Sequence, residues 1–266
     1  MNLLILAGTE DGRELASAFQ KRGHQVLVST LTEYGAEIAL QQGLTARAGA
    51  LDEDSLRRIL REQEIDALID ATHPYAQAIH GLGQRIASEC DHPYFRWERP
   101  LGEYPRHRLI HSAPTLEDAA EKAAQLGRRV FLSTGSKNLR QWLAIPVLQD
   151  CELFVRVLPT AQVLSQCEAS GLKPYQIIAM QGPFTQKFNE ALWEQMKIEV
   201  VISKESGSIG GIEEKVQACL KLGIPIILLE RPASAHPELN SEENKPQIMP
   251  TTVEDFIRKV EDILEY

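Results

Sequence analysis

The stretch Leu6-Ala7-Gly8-Thr9-Glu10-Asp11-Gly12-Arg13 places two glycines, a threonine and an arginine between an apolar run and the start of a helical pattern. Small residues there let a backbone approach an anion, and a helix start offers unpaired N–H groups, so the loop suits a dinucleotide pyrophosphate. The spacing is G-x-x-x-G rather than G-x-G-x-x-G, and a plain strand-to-helix turn would read the same way. The next apolar run ends Val28-Ser29-Thr30, without the Asp or Glu that holds a ribose 2′-hydroxyl about 20 residues after the glycines. Ser29 and Thr30, helped by Arg13, therefore favour NADPH, with NADH as the alternative.

A third run leads into Asp70-Ala71-Thr72-His73-Pro74-Tyr75-Ala76. Thr72 capping a helix with Pro74 near its first position is the structural reading. The functional reading puts the loop beside a nicotinamide and makes His73 a proton donor, since an imidazole titrates near about 6.5. Arg96, Arg99, Arg106, His107, Arg108 and His111 crowd one segment and could receive a polycarboxylate through bidentate pairing, or could be solvated surface charges. Two later loops, Ser133-Thr134-Gly135-Ser136-Lys137 and the stretch from Ser203 and Lys204 through Ser206 and Gly207 to Gly210 and Gly211, offer hydroxyls, N–H groups and a lysine to an anion. Walker A, G-x-S-x-G, H-E-x-x-H and Tyr-x-x-x-Lys patterns are absent, which disfavours NTPase, hydrolase, zinc and short-chain dehydrogenase chemistry.

The elements that must position these groups read as strands over 3–6, 25–29, 45–48, 67–70 and 94–97, separated by helices, and again over 129–133, 151–157, 176–180, 200–203 and 225–229. Short apolar strands alternating with helices describe an α/β chain with parallel sheets covered on both faces. Residues 99–114 read as an irregular crossover, which divides the chain into lobes over 1–100 and 101–266, the second carrying a terminal amphipathic helix over 253–264. Pro93-x-x-x-x-Glu98-Arg99-Pro100 returns 132 residues later as Pro225-x-x-x-x-Glu230-Arg231-Pro232, which points to a duplicated lobe and a cleft between the two copies.

With 266 residues, 43% of them hydrophobic and 24% charged, the composition is that of a globular protein rather than a disordered or fibrous one. A net charge of −9 argues against nucleic-acid and anionic-membrane partners. The five-residue apolar start is too short for a signal or a membrane span, and four scattered cysteines without a CxxC suggest free thiols, no metal site and a cytoplasmic setting.

Taken together, the first loop, residues 29–35, the Asp70 to Ala76 stretch, Arg96 to Pro100, Thr134-Gly135, the 203–211 loop with Lys215, and Arg231-Pro232 resemble the precorrin-6A reductase family of cobalamin biosynthesis. The resemblance implies two Rossmann-like lobes and hydride transfer from NAD(P)H to the macrocycle of precorrin-6A or its cobalt form. It implies that Gly8, Thr9, Glu10, Gly12, Arg13, Ser29, Thr30, Thr72 and His73 hold the cofactor. Tyr75, Arg96, Arg99, Thr134, Gly135, Lys137, Lys204, Ser206, Gly207, Gly210, Gly211 and Lys215 would then face a tetrapyrrole polycarboxylate, with His73 first and Lys204 second as proton donor. A nucleotide-binding transferase or a non-catalytic dinucleotide sensor is the alternative.

Overall fold

The computed structural model describes residues 1–98, 102, 104–207, 210–231 and 252–264. The chain alternates β1 (Asn2–Leu6), α1 (Glu10–Lys21), β2 (Gln25–Thr30), α2 (Glu33–Gln41), β3 (Thr45–Ala48), α3 (Glu53–Glu62), β4 (Ala67–Asp70), α4 (Gln77–Glu89) and β5 (Tyr94–Arg96). These strands form one parallel sheet in the order β3-β2-β1-β4-β5. Alternate side chains of β1 point to opposite faces. Leu3 and Ile5 join Leu15, Phe19, Val28 and Ile69 in one core, while Leu4 and Leu6 join Leu56, Leu60, Leu68 and Ile86 in the other. Burial on both faces is why the central strands carry no polar–apolar alternation.

The second half runs β6 (Ile110–Ala113), α5 (Leu116–Leu126), β7 (Arg129–Ser133), α6 (Leu139–Ala144), β8 (Glu152–Val157), α7 (Ala161–Ala169), β9 (Ile177–Ala179), α8 (Gln186–Gln195), β10 (Val200–Lys204), α9 (Ile212–Leu222) and β11 (Ile226–Leu229). Its parallel sheet has the order β6-β11-β10-β7-β8-β9. Read from the other edge, β9-β8-β7-β10-β11 repeats the topology of the first sheet, and β6 is added beyond β11. The register repeats as well. Asn2 pairs with Gln25 as Arg129 pairs with Glu152, and Asp70 pairs with Arg96 as Ser203 pairs with Leu228. The duplication expected from the Glu-Arg-Pro echo is therefore present strand for strand.

Three expectations are corrected. The crossover read over 99–114 contains β6, whose polar His111 and Ser112 sit on an edge strand where alternation with solvent hides the apolar signal. Thr72 does not cap α4, which starts at Gln77 after Ala76 with no side-chain cap. The terminal helix α10 (Val253–Leu264) belongs to the first unit, Met1–Arg99 with Pro232–Tyr266, and not to the second, Pro100–Arg231. Phe256, Ile257 and Val260 enter the core beside α1, Phe256 meets Phe19 and Trp97 edge-on, and Glu261 receives Arg22 through two bonds of 2.9 and 2.7 Å.

Candidate active site

The carboxyl ends of β1, β2 and β4 gather the first set of predicted residues, because parallel strands of an open sheet deliver their following loops to one edge. A Cβ placed on Gly8 meets nothing within 4 Å, so space lies open in front of the first helix. Thr9 is the N-cap of α1 without a side-chain cap bond; its Oγ1 and the Nε of Arg13 are buried with no hydrogen-bond partner among the described residues. Two bare donors beside an open glycine and a helix N-terminus fit a dinucleotide diphosphate. Gly12 does something else. It is buried in α1, and a Cβ there would stand 2.8 Å from Ala7 Cβ and 3.0 Å from the Ala71 carbonyl, so this glycine sets the close packing of helix on sheet. Glu10 is exposed in the first turn.

At the end of β2, Ser29 Oγ accepts a 2.8 Å hydrogen bond from Arg47 Nη1, which comes from the neighbouring β3. Thr30 instead turns its hydroxyl inward to the Thr32 carbonyl at 2.9 Å, so its donor shapes the turn. Arg47 is a cation that linear reading missed, because its proximity to Ser29 exists only through strand pairing.

Asp70, fully buried at the end of β4, organises the next loop. Its Oδ1 accepts from the Thr72 amide and hydroxyl at 3.0 and 2.7 Å, and its Oδ2 from the Tyr94 hydroxyl and Arg96 Nη1, both at 2.8 Å. Since the Thr72 proton goes to Asp70, His80 Nε2, 2.8 Å from Thr72 Oγ1, must donate to it. Burial pushes the His80 imidazole below its ordinary value, with the Asp70 charge opposing, and burial pushes the Tyr94 phenol well up. Arg96 is thus tied to Asp70 and to Glu98. Arg99 lies outside the described residues. His73 Nδ1 accepts the Tyr75 amide at 3.3 Å and the two rings lie 5.6 Å apart, which leaves the imidazole proton on Nε2.

In the second unit the carboxyl ends of β7, β8 and β10 carry a cationic cluster. Thr134 is buried, its Oγ1 without a partner among the described residues, and Gly135 follows at φ +73° with open space around it. Lys137 is exposed in the same loop. Burial and the nearby Lys137 charge lower Lys204, and burial with the Arg156 charge brings Lys215 down to about 8. Lys215 Nζ donates to the Gly210 carbonyl at 2.9 Å, as Ser206 Oγ does at 3.3 Å, and Gly207 N donates to Glu205 Oε1, so Gly207 and Gly210 are braced from inside. Gly211 takes φ +65° before α9.

Sequence reading also missed Arg156. It is 6% exposed on β8, its Nη1 donating to Asn189 Oδ1 at 2.7 Å and its Nη2 to Ser133 Oγ at 3.0 Å, with the Phe184 ring 4.0 Å away. Burial opposes the charge of both inner arginines. At Arg96 the carboxylates of Asp70 and Glu98 outweigh it and hold the group above its ordinary value, whereas Arg156 has no such partner among the described residues and falls to about 10. Arg106, His107 and Arg108 precede β6 and so lie at the opposite, amino end of this sheet. Among the described residues no helix is long and apolar enough to cross a membrane, and no three His, Cys, Asp or Glu side chains are grouped to hold a metal.

The fold and site define a class: a duplicated Rossmann-type α/β protein with an open glycine loop before the first helix of its first sheet and a cationic edge on its second. The chain belongs to the family described as precorrin-6x reductase CbiJ/CobK, whose profile matches residues 2–259. It is similar to the cobalt-precorrin-6A reductase of Priestia megaterium, 35% identical over 232 residues that cover 86% of this chain and 90% of that one. The cobalt-precorrin-6A reductase of Salmonella typhimurium is 36% identical over 233 residues, 87% of this chain and 88% of its own. A solved CobK precorrin-6A reductase superposes with a TM-score of 0.75 at 24% identity, over 98% of this chain and 97% of the other, a likeness of fold.

Proposed function

We propose that this chain reduces the macrocycle of precorrin-6A in its cobalt form to the corresponding precorrin-6B, with NADPH as the reductant. The family match across nearly the whole chain carries the reaction, and the relatives named above carry the cobalt form. The observation that carries the cofactor is the pairing of Arg47 with Ser29 at the end of β2, with no acidic ribose anchor on that strand. A guanidinium there attracts a 2′-phosphate, where an Asp or Glu would repel it.

Bound NADPH supplies a hydride that, with one proton, saturates one carbon–carbon double bond of the macrocycle. The protein's part is positioning and charge. The amides at the start of α1, with Thr9 Oγ1 and Arg13 Nε, hold the diphosphate. The Asp70 network fixes the loop that carries Thr72 and His73, and His73 Nε2–H is the first candidate for the proton donor. Lys204, with its pKa lowered by burial, is the second candidate. Lys137, Lys204 and the second-unit loops meet the substrate carboxylates, and the cobalt stays in the macrocycle as part of the substrate.

The test is anaerobic spectrophotometry of the purified protein with cobalt-precorrin-6A and precorrin-6A, each with NADPH and with NADH. One NADPH oxidised per macrocycle reduced supports the reading. Tight NADPH binding without any macrocycle-dependent oxidation overturns it in favour of a dinucleotide sensor.

A further inference from the structure

The duplicated sheets allow the two carboxyl edges to be compared position by position. Ser29 is the fifth residue of the six-residue β2, and Arg156 is the fifth residue of the six-residue β8, in the same register against the first strand of each repeat. Gly8 follows β1 at the same distance as Gly135 follows β7. Asp70 and Arg96, which neutralise one another in the first unit, correspond to Ser203 and Leu228 in the second. The second copy has therefore gained a buried guanidinium on one strand and has a serine where its sister copy has a buried carboxylate.

A buried cation without a counter-ion is costly, and a fold retains one where a ligand supplies the opposite charge. Everything around Arg156 preorganises it. Asn189 and Ser133 take two of its donors, Phe131 and Phe184 flank it at 5.5 and 4.0 Å, and Lys215, whose own charge is offset by Glu214 and Glu205, lies close enough to feel the guanidinium. Asn189 is fully buried, and with its Oδ1 turned to the guanidinium its Nδ2 remains unpartnered among the described residues. Phe184 stacks on Phe188 at 5.2 Å, giving a flat apolar layer beside the fork.

We propose that Arg156, clamped by Ser133 and Asn189, is the anchor for a carboxylate of the polyanionic substrate, on the carboxyl edge of the second sheet at the position where the first sheet carries Ser29. This deepens the reductase reading and rests on it for the identity of the ligand. A diphosphate would satisfy the same guanidinium, and the flat aromatic layer is what favours a macrocycle bearing carboxylates.

The experiment compares full-length wild type, Arg156→Met and Asn189→Asp by thermal unfolding, with and without uroporphyrin or inorganic pyrophosphate, and by steady-state kinetics. Uroporphyrin, an octacarboxylate tetrapyrrole, should raise the wild-type Tm and leave Arg156→Met unmoved, whereas any shift by pyrophosphate, bound at the loop after β1, should be the same in both proteins. The variant's KM for the macrocycle should rise at least about tenfold, with KM for NADPH unchanged. Its ligand-free Tm should equal or exceed that of wild type, because the methionine removes an uncompensated charge, whereas loss of a merely structural arginine lowers it. Asn189→Asp supplies an internal counter-ion and should raise the ligand-free Tm while raising the macrocycle KM, so it decides the matter if Arg156→Met does not fold. Unchanged macrocycle KM and uroporphyrin shift in the folded variants overturn the site even if the wild type turns over. An Arg156-dependent response to pyrophosphate alone overturns the carboxylate assignment. An Arg156-dependent uroporphyrin shift in a wild type that oxidises no NADPH upholds the site and removes the reductase reading.

Discussion

Arg47 Nη1 lies 2.8 Å from Ser29 Oγ, bringing a guanidinium from β3 to the end of β2. The pair stands where dinucleotide-binding sheets meet the adenosine ribose, and a charge-assisted contact to a phosphate contributes about 1.5–3 kcal/mol. Arg47→Ala should raise KM for NADPH by about 10- to 100-fold and change KM for NADH by less than about threefold. Equal effects on both cofactors would overturn the proposed role of Arg47 toward a 2′-phosphate.

Gly8 and Gly12 should respond in opposite ways to alanine. A methyl group at Gly8 enters open space, so Gly8→Ala should keep the wild-type unfolding midpoint in urea while weakening NADPH binding measured by calorimetry. At Gly12 the methyl meets Ala7 and the Ala71 backbone, and Gly12→Ala should destabilise the fold by about 1–3 kcal/mol. A Gly8→Ala protein that binds NADPH normally would exclude this loop from the cofactor site.

Asp70 accepts from four donors without touching solvent. Removing its charge leaves Arg96 partly uncompensated and Thr72 and Tyr94 short of an acceptor, so Asp70→Ala should cost about 3–5 kcal/mol in urea unfolding. A loss under about 1 kcal/mol would show that the network is solvated instead.

Lys215 carries a pH signature. Its folded pKa of about 8 lies below the unfolded value of 10.5, so between them the unfolded chain binds more protons than the native one and stability rises with pH. Relative to Lys215→Met, the wild type should gain up to about 1.4 kcal/mol per pH unit from pH 8 towards pH 10 and show no such slope below pH 7. Urea titrations at pH 7, 8.5 and 9.5 check this, and parallel curves for the two proteins would contradict it.

His73 is the proposed proton donor, with Nδ1 occupied by the Tyr75 amide. General acid catalysis contributes about 10²- to 10⁴-fold, so His73→Ala should lower kcat in that range with little change in KM for NADPH. Normal turnover in single-turnover kinetics would pass the role to Lys204.

Elements whose signal is local were legible in the chain. The apolar runs of β1, β4, β7 and β11, Gly23 and Gly43 at helix ends, and the glycine loop all follow from neighbouring residues. The Glu-Arg-Pro echo even foretold the duplicated topology. Edge strand β6 was not legible, because one paired side and a polar face leave little apolar pattern.

Partnerships between strands belong to the tertiary structure. The sequence alone determined which residue types sit in each loop after a strand, and so the chemistry open to the chain. Only the fold decided that Arg96 is paired with Asp70, that Arg47 reaches Ser29, that α10 closes the core beside Phe19, and that Arg156 is buried without a carboxylate partner among the described residues. The reason is physical: the energy of a charge depends on its partners and on the water removed from it, and both are set by strand order and register rather than by distance along the chain.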